Sequence, residues 1–157
     1  KELPAAQVVA TELSPEAAAI AGRNAERNDV ADRVEVRVGD LFAPVRGPGG
    51  PEVFDLVVSN PPYIATPVIS TLSAEVLREP RMALDGGPDG MAFYDRICAE
   101  AAEHLVPGGA IVLEHGYDQA EAVAARLATA GFVDVQLVHD LGKNPRVTWA
   151  RRARAAA

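Results

Sequence analysis

Val53-Phe54-Asp55-Leu56-Val57-Val58-Ser59-Asn60-Pro61-Pro62-Tyr63 is the stretch that decides the fold. From Val53 to Ser59 it is apolar apart from Asp55, the pattern of a central parallel strand covered on both faces. The two prolines then end it, because proline lacks the N–H that a strand ladder needs. Upstream, Arg46-Gly47-Pro48-Gly49-Gly50-Pro51 reads as a flexible connector. Before it, Arg33 to Val38 alternates polar and apolar residues, which predicts a strand with one wetter face. Ser14-Pro15-Glu16 predicts a helix start, with Ser14 as cap, Pro15 at the first helical position and Glu16 at the positive dipole end. That helix should run to about Asn28, after a short buried strand over Gln7 to Glu12.

Downstream, Pro61 to Asp89 carries five prolines, keeps no sustained period and turns at Asp85-Gly86-Gly87. A long ordered loop of this kind is usually functional. Met91 to Leu105 predicts a helix ended by Pro107-Gly108-Gly109, and Ala110 to His115 a buried strand. Asp118 to Ala130 predicts an alanine-rich helix closed by Gly131. Phe132 to His139 and Arg146 to Arg151 predict two strands with no helix between them, hence an antiparallel pair at one edge. Alternating strands and helices ending in a hairpin predict an α/β fold with a mostly parallel sheet and no internal domain boundary.

Composition narrows the function. The 157 residues carry a net charge of -7 with a pI near 4.9, which argues against a phosphate-backbone partner. Of the 48% apolar residues many are alanine, 29 in all, so the core is less apolar than the fraction suggests. One cysteine, Cys98, excludes an internal disulfide and fits a reducing, cytoplasmic setting. No run approaches the ~20 apolar residues that cross a bilayer. His104, His115 and His139 have no metal-ligand spacing, and Asp85 to Gly90 lacks the alternation of a calcium loop. Cys98, beside Ile97 and Ala101, reads as core, and the basic tail from Arg151 to Arg154 as a solvated end.

In doubly wound sheets ligands bind at the carboxyl ends of strands, and three such ends are chemically loaded here. Glu12 ends the first, where an acid can take both hydroxyls of a nucleotide ribose. Asp40 follows the second, where a carboxylate can accept from an adenine amino group. Each acid alone is most often just a helix cap or turn former; together they point to an adenosine-type cofactor. The third end is Asn60-Pro61-Pro62-Tyr63. Asn60 offers a side-chain carbonyl, Pro61 a backbone carbonyl and Tyr63 a flat face, a set that matches a planar NH2 group held between two acceptors. The plainer reading is a rigid strand-to-loop turn with a packed tyrosine.

Val57-Val58-Ser59-Asn60-Pro61-Pro62-Tyr63-Ile64 resembles the motif of S-adenosylmethionine-dependent amino methyltransferases of the class I, Rossmann-like fold. Glu79 to Gly90, Phe93 to Ile97, Leu113 to Gln119, and Asp140-Leu141-Gly142 with Arg146-Val147 resemble the HemK/PrmC-type protein-(glutamine-N5) methyltransferases. The Leu113 to Gln119 stretch is more similar to enzymes acting on peptide chain release factors, and the subgroup acting on a ribosomal protein stays open. The resemblance implies S-adenosyl-L-methionine as cofactor, Glu12 as ribose ligand, and Asp40 and Leu41 beside the adenine. It implies Asn60, Pro61, Pro62 and Tyr63 as the glutamine pocket, with Asn60 also near the cofactor, and Glu79 and Asp89 as loop-ordering residues. Leu41 replaces an aromatic of some members, and Glu12 an aspartate of many.

The resemblance also implies a first strand and glycine-rich turn about 20 residues before Glu12, which eleven preceding residues have no room for. It further implies an amino-terminal helical domain that holds the protein substrate. The expectation is therefore that residues 1–157 are the carboxyl-terminal part of a catalytic domain. Two other readings stand beside methylation of a protein glutamine. One is N6-adenine methylation of nucleic acid, disfavoured by the charge and the missing basic, aromatic groove; the other is a non-catalytic interaction module.

Overall fold

The computed structural model describes residues 3–154. The chain gathers into two compact units, one ending at Glu52 and one beginning at Val53. Within the first unit the Glu52 N–H donates to the Val45 carbonyl (2.9 Å), and Arg37 pairs with Glu35 (2.8 Å) and Glu52 (2.6 Å).

In the first unit β1 (Val8–Glu12) leads into α1 (Pro15–Arg27) and then β2 (Val34–Val38). The two strands pair in parallel, Glu12 opposite Val38. α1 starts as its sequence requires: the Ser14 hydroxyl accepts from the Ala17 N–H (3.2 Å), Pro15 fills the first helical position, and Ala18 and Ala25 are buried. Such a cap contributes about 1 kcal/mol. The glycine- and proline-rich connector is a minimal hairpin, β3 (Arg46–Gly47) with β4 (Gly50–Pro51).

The second unit holds β5 (Phe54–Ser59), α2 (Thr66–Ile69), α3 (Arg81–Leu84), α4 (Ala92–Glu100), β6 (Leu105–Glu114), α5 (Ala120–Thr129), β7 (Phe132–His139) and β8 (Pro145–Arg152). Its sheet has the order β5-β6-β8-β7, parallel at β5–β6 and antiparallel at the other two pairings. The antiparallel pair at one edge is as expected, but the sheet is mixed rather than mostly parallel. The helix expected to reach Leu105 ends at Glu100 and tightens into a 3-10 turn over Ala101–His104. Leu105 already begins β6, so Pro107-Gly108-Gly109 lies inside a strand, where the β5–β6 register skips from Leu105 to Ala110. Proline and glycine are tolerated there as an irregularity in the ladder.

β5 is not the covered central strand that its apolar sequence predicts. Among the described residues it pairs only with β6, and Leu56 and Val58, on one face, are 52% and 66% exposed. The core of this unit lies elsewhere: Tyr94 and Ile97 of α4, Ile111 and Leu113 of β6, Val123 and Leu127 of α5 and Ala150 of β8 are all sealed from solvent. Each such isoleucine, leucine or valine side chain stabilises by about 1.5–3 kcal/mol. Cys98 joins them, its thiol pushed up to about 11 by burial, as expected of a core residue. No helix among the described residues is long and apolar enough to cross a membrane.

Candidate active site

The long segment after β5 is an ordered strap with short helices rather than an open loop. Ile64 forms a parallel bridge with Asp85: the Ile64 N–H donates to the Leu84 carbonyl (3.0 Å), and the Gly86 N–H to the Ile64 carbonyl (2.8 Å). The Thr66 N–H donates to the Gly87 carbonyl (2.8 Å). Asp85 secures the same crossing by accepting from the Thr66 hydroxyl (2.6 Å), the Gly87 N–H (3.1 Å) and Arg81 (3.1 Å). Chiefly through the Thr66 hydrogen bond, its carboxyl titrates below the usual aspartate value. Asp89 accepts from the Met91 N–H (3.0 Å), so it orders the entry to α4; the Glu79 side chain is exposed.

This strap lies against the turn that carries Asn60. A methyl group at Gly86 would sit 2.8 Å from the Tyr63 Cα and 2.9 Å from the Pro62 carbonyl oxygen. Gly90, at φ +77°, leaves no space for one before the Tyr63 carbonyl oxygen. Both positions therefore require glycine, one for close approach and one also for its backbone conformation. Pro61 is buried, Pro62 and Tyr63 are half-buried, and Asn60 is exposed. Among the described residues nothing hydrogen-bonds the Asn60 side chain or donates to the Pro61 carbonyl, so both acceptors expected to hold an NH2 group are unengaged.

Two residues without an individual role in the sequence reading, Gln119 and Tyr94, add to the support. Gln119 accepts from the Gly116 N–H (3.0 Å) and donates to the carbonyls of Tyr63 (2.9 Å) and Gly90 (3.3 Å). Tyr94 donates from its hydroxyl to the Glu114 carbonyl (2.8 Å). Burial, followed by the neighbouring Tyr63 and Glu114, pushes the Tyr94 phenol up, so it remains a donor. The only sequence signal for Gln119 was its place at the end of the Leu113–Gln119 similarity. The contact itself spans 56 residues and is invisible to local pattern.

Beside this, His115 is fully buried, with Nδ1 2.8 Å from the Gly116 carbonyl and Nε2 2.9 Å from the Thr148 hydroxyl. The carbonyl can only accept, so Nδ1 donates to it, and Nε2 pairs with the Thr148 hydroxyl. This is a satisfied core histidine. Among the described residues no group of three or more His, Cys, Asp or Glu is placed to hold a metal ion.

In the first unit, Glu12, Asp40 and Leu41 gather at the carboxyl end of the β1–β2 pair. The Gly39 N–H donates to the Glu12 carbonyl (2.9 Å), and the Ser14 N–H to Glu12 Oε1 (2.8 Å). Among the described residues the second carboxylate oxygen has no partner. Asp40 and Leu41 are half-buried, and Leu41 is held at φ 46°. For a branched residue that conformation costs about 1–2 kcal/mol, a strain typical of ligand-binding turns.

Parallel strand pairs linked through helices, with a closing antiparallel pair, make this an α/β protein of the class I methyltransferase fold. In agreement, a solved methyltransferase from Pyrococcus furiosus superposes with a TM-score of 0.65 at 22% identity, covering 94% of this chain and 63% of that one. The chain belongs to the methyltransferase small domain family, whose model matches residues 1–135. It is 46% identical over 147 residues to the release factor glutamine methyltransferase of Caulobacter vibrioides, covering 93% of this chain and 50% of the relative. To the enzyme of that name from Geobacter sulfurreducens it is 47% identical over 152 residues, covering 96% and 51%. The chain thus spans about half the length of these curated relatives.

Proposed function

We propose that this chain carries the target-amide pocket for S-adenosylmethionine-dependent methylation of a glutamine side-chain nitrogen (N5) in a peptide chain release factor, in the cytoplasm. The carrying observation is the pair of free acceptors at Asn60 and Pro61 on a turn braced from three sides. The named relatives at 46–47% identity support the substrate class. On this reading the 157 residues are part of the catalytic domain.

The residues fit the cofactor. Glu12 keeps one carboxylate oxygen unengaged, half-buried at a strand end, and Asp40 and Leu41 add an acceptor and an apolar wall. Glu12 would hold the ribose hydroxyls, and Asp40 and Leu41 the adenine. When bound, S-adenosylmethionine supplies the transferable methyl on a positive sulfonium centre.

An amide nitrogen is a poor nucleophile, because its lone pair is delocalised into the carbonyl. Asn60 Oδ1 and the Pro61 carbonyl, each accepting one N–H of the target amide, favour a pyramidal nitrogen and fix where its lone pair points. Pro62 stiffens the turn and Tyr63 covers the amide plane. The contribution is orientation and preorganised electrostatics.

The test is Asn60→Ala in the full chain, assayed with labelled S-adenosylmethionine against release factor and against DNA. Turnover on release factor should fall about 100-fold or more while cofactor affinity changes little. Label on DNA, or an unchanged rate in the variant, overturns the reading.

A further inference from the structure

We infer that Gln119 is a positioning residue for the target-amide turn, the lock that sets how the Asn60 and Pro61 acceptors are presented. The inference rests on the proposed glutamine-methylating function and adds a residue to it.

The side-chain amide of Gln119 is fully used. The Gly116 N–H can only donate, so the atom facing it must be Oε1; the Tyr63 and Gly90 carbonyls can only accept, so they face Nε2. Three segments distant in sequence therefore meet on one planar group: the turn after β5, the turn into α4 and the turn after β6. A methyl group at Gly90 would also come within 2.7 Å of Gln119 Nε2, so the fit is tight.

The chemistry explains why this matters for the target. Asn60 Oδ1 and the carbonyls of Pro61, Pro62 and Tyr63 put four acceptors in a row, and a two-donor NH2 group can engage only two. Gln119 removes the last from competition by occupying the Tyr63 carbonyl. Of the turn's backbone N–H groups, two are lost to proline, so the turn has little else with which to hold its own direction. Side-chain cross-linking takes over that role. Glutamate at position 119 would keep the length and the Gly116 bond but lose both donors, placing a carboxylate against two carbonyls.

Gln119→Glu in the full chain provides the test, with Gln119→Met as the variant lacking every polar contact. For Gln119→Glu, kcat on release factor should fall by about 10- to 100-fold, the scale of a small misplacement of a reacting group. The KM for S-adenosylmethionine should stay within about twofold. Amide exchange at Ile64 and Gly86 should quicken as the strap loosens. Lowering the pH protonates the new carboxyl and restores one donor, so the rate relative to the parent should recover in Gln119→Glu but not in Gln119→Met. A merely structural role would lower the folded fraction of both variants without changing kcat per folded molecule or showing that pH recovery, and this result overturns the inference. Loss of Asn60→Ala activity with unchanged Gln119→Glu kinetics overturns it as well while leaving the proposed function intact. Absence of glutamine methylation by the parent chain overturns both.

Discussion

The turn after β2 and the turn after β5 both close the carboxyl end of a parallel strand pair, yet they are held by different means. Beside the first, the Glu12 carboxylate at the end of β1 is fixed by one local bond, from the Ser14 N–H; the Gly39 N–H of the turn donates to the Glu12 carbonyl across the strand pair, and Leu41 sits in a left-handed conformation. At the second, Asn60 to Tyr63 makes few bonds of its own but is braced by Gly86, Gly90 and Gln119 from far along the chain. A turn that needs one carboxylate in place can be built from its neighbours. A turn with two prolines has few N–H groups of its own, and distant segments supply its frame.

That contrast can be broken in several ways. The largest expected effect is the loss of turnover in Asn60→Ala, which strikes the framed turn at its acceptor. Next is Gly90→Ala: a methyl there meets the Tyr63 carbonyl and Gln119, and its φ of +77° adds about 1–2 kcal/mol of backbone strain. Activity should drop about tenfold or more, together with the melting temperature of the full chain. Parent-like rates in Gly90→Ala would show that the frame is dispensable. Glu12→Gln acts on the locally built turn alone. It should weaken S-adenosylmethionine binding about tenfold by calorimetry, the worth of a hydrogen bond to a charged group, with kcat at saturation nearly unchanged. A large loss of kcat would erase the distinction between the turns.

The smallest effect is on pH. Asp85 titrates below its ordinary value of about 3.9 because the Thr66 hydroxyl, then the Gly87 N–H and Arg81, favour its ionised form. Its contribution to the strap is therefore fully present above that ordinary value and is lost as the pH falls through the lower, folded-state one. Amide exchange at Gly87 should quicken in acid over that window. In Asp85→Asn it should be fast already at neutral pH and change little on acidification. Equal acid sensitivity in both would remove Asp85 from the frame.

Much of this was legible in the chain. Ser14-Pro15-Glu16 marked the helix start, and the pairing of Phe132–His139 with Pro145–Arg152 followed from two strands without a helix between them. Asn60 to Tyr63 stands out because it sets a side-chain carbonyl, a backbone carbonyl and a flat ring at the carboxyl end of a strand. Local signals mislead where they have two meanings. Pro107-Gly108-Gly109 resembles a helix stop, yet the helix ends earlier and the glycines sit within β6. The apolar run from Val53 suggested a strand covered on both faces, but apolarity reports what would be buried by a neighbour, and among the described residues β5 has β6 alone.

The sequence by itself determined the chemistry at the strand ends: which residues can accept, which are rigid and which carry charge. These are properties of side chains and of proline rings, and they travel with the residue. Only the tertiary structure decided how the acceptors are presented. The bonds that hold Tyr63 come from Gln119, and the space for its backbone comes from Gly86 and Gly90. Close approach and hydrogen-bond satisfaction depend on distances between distant segments, and those exist only once the chain has closed on itself.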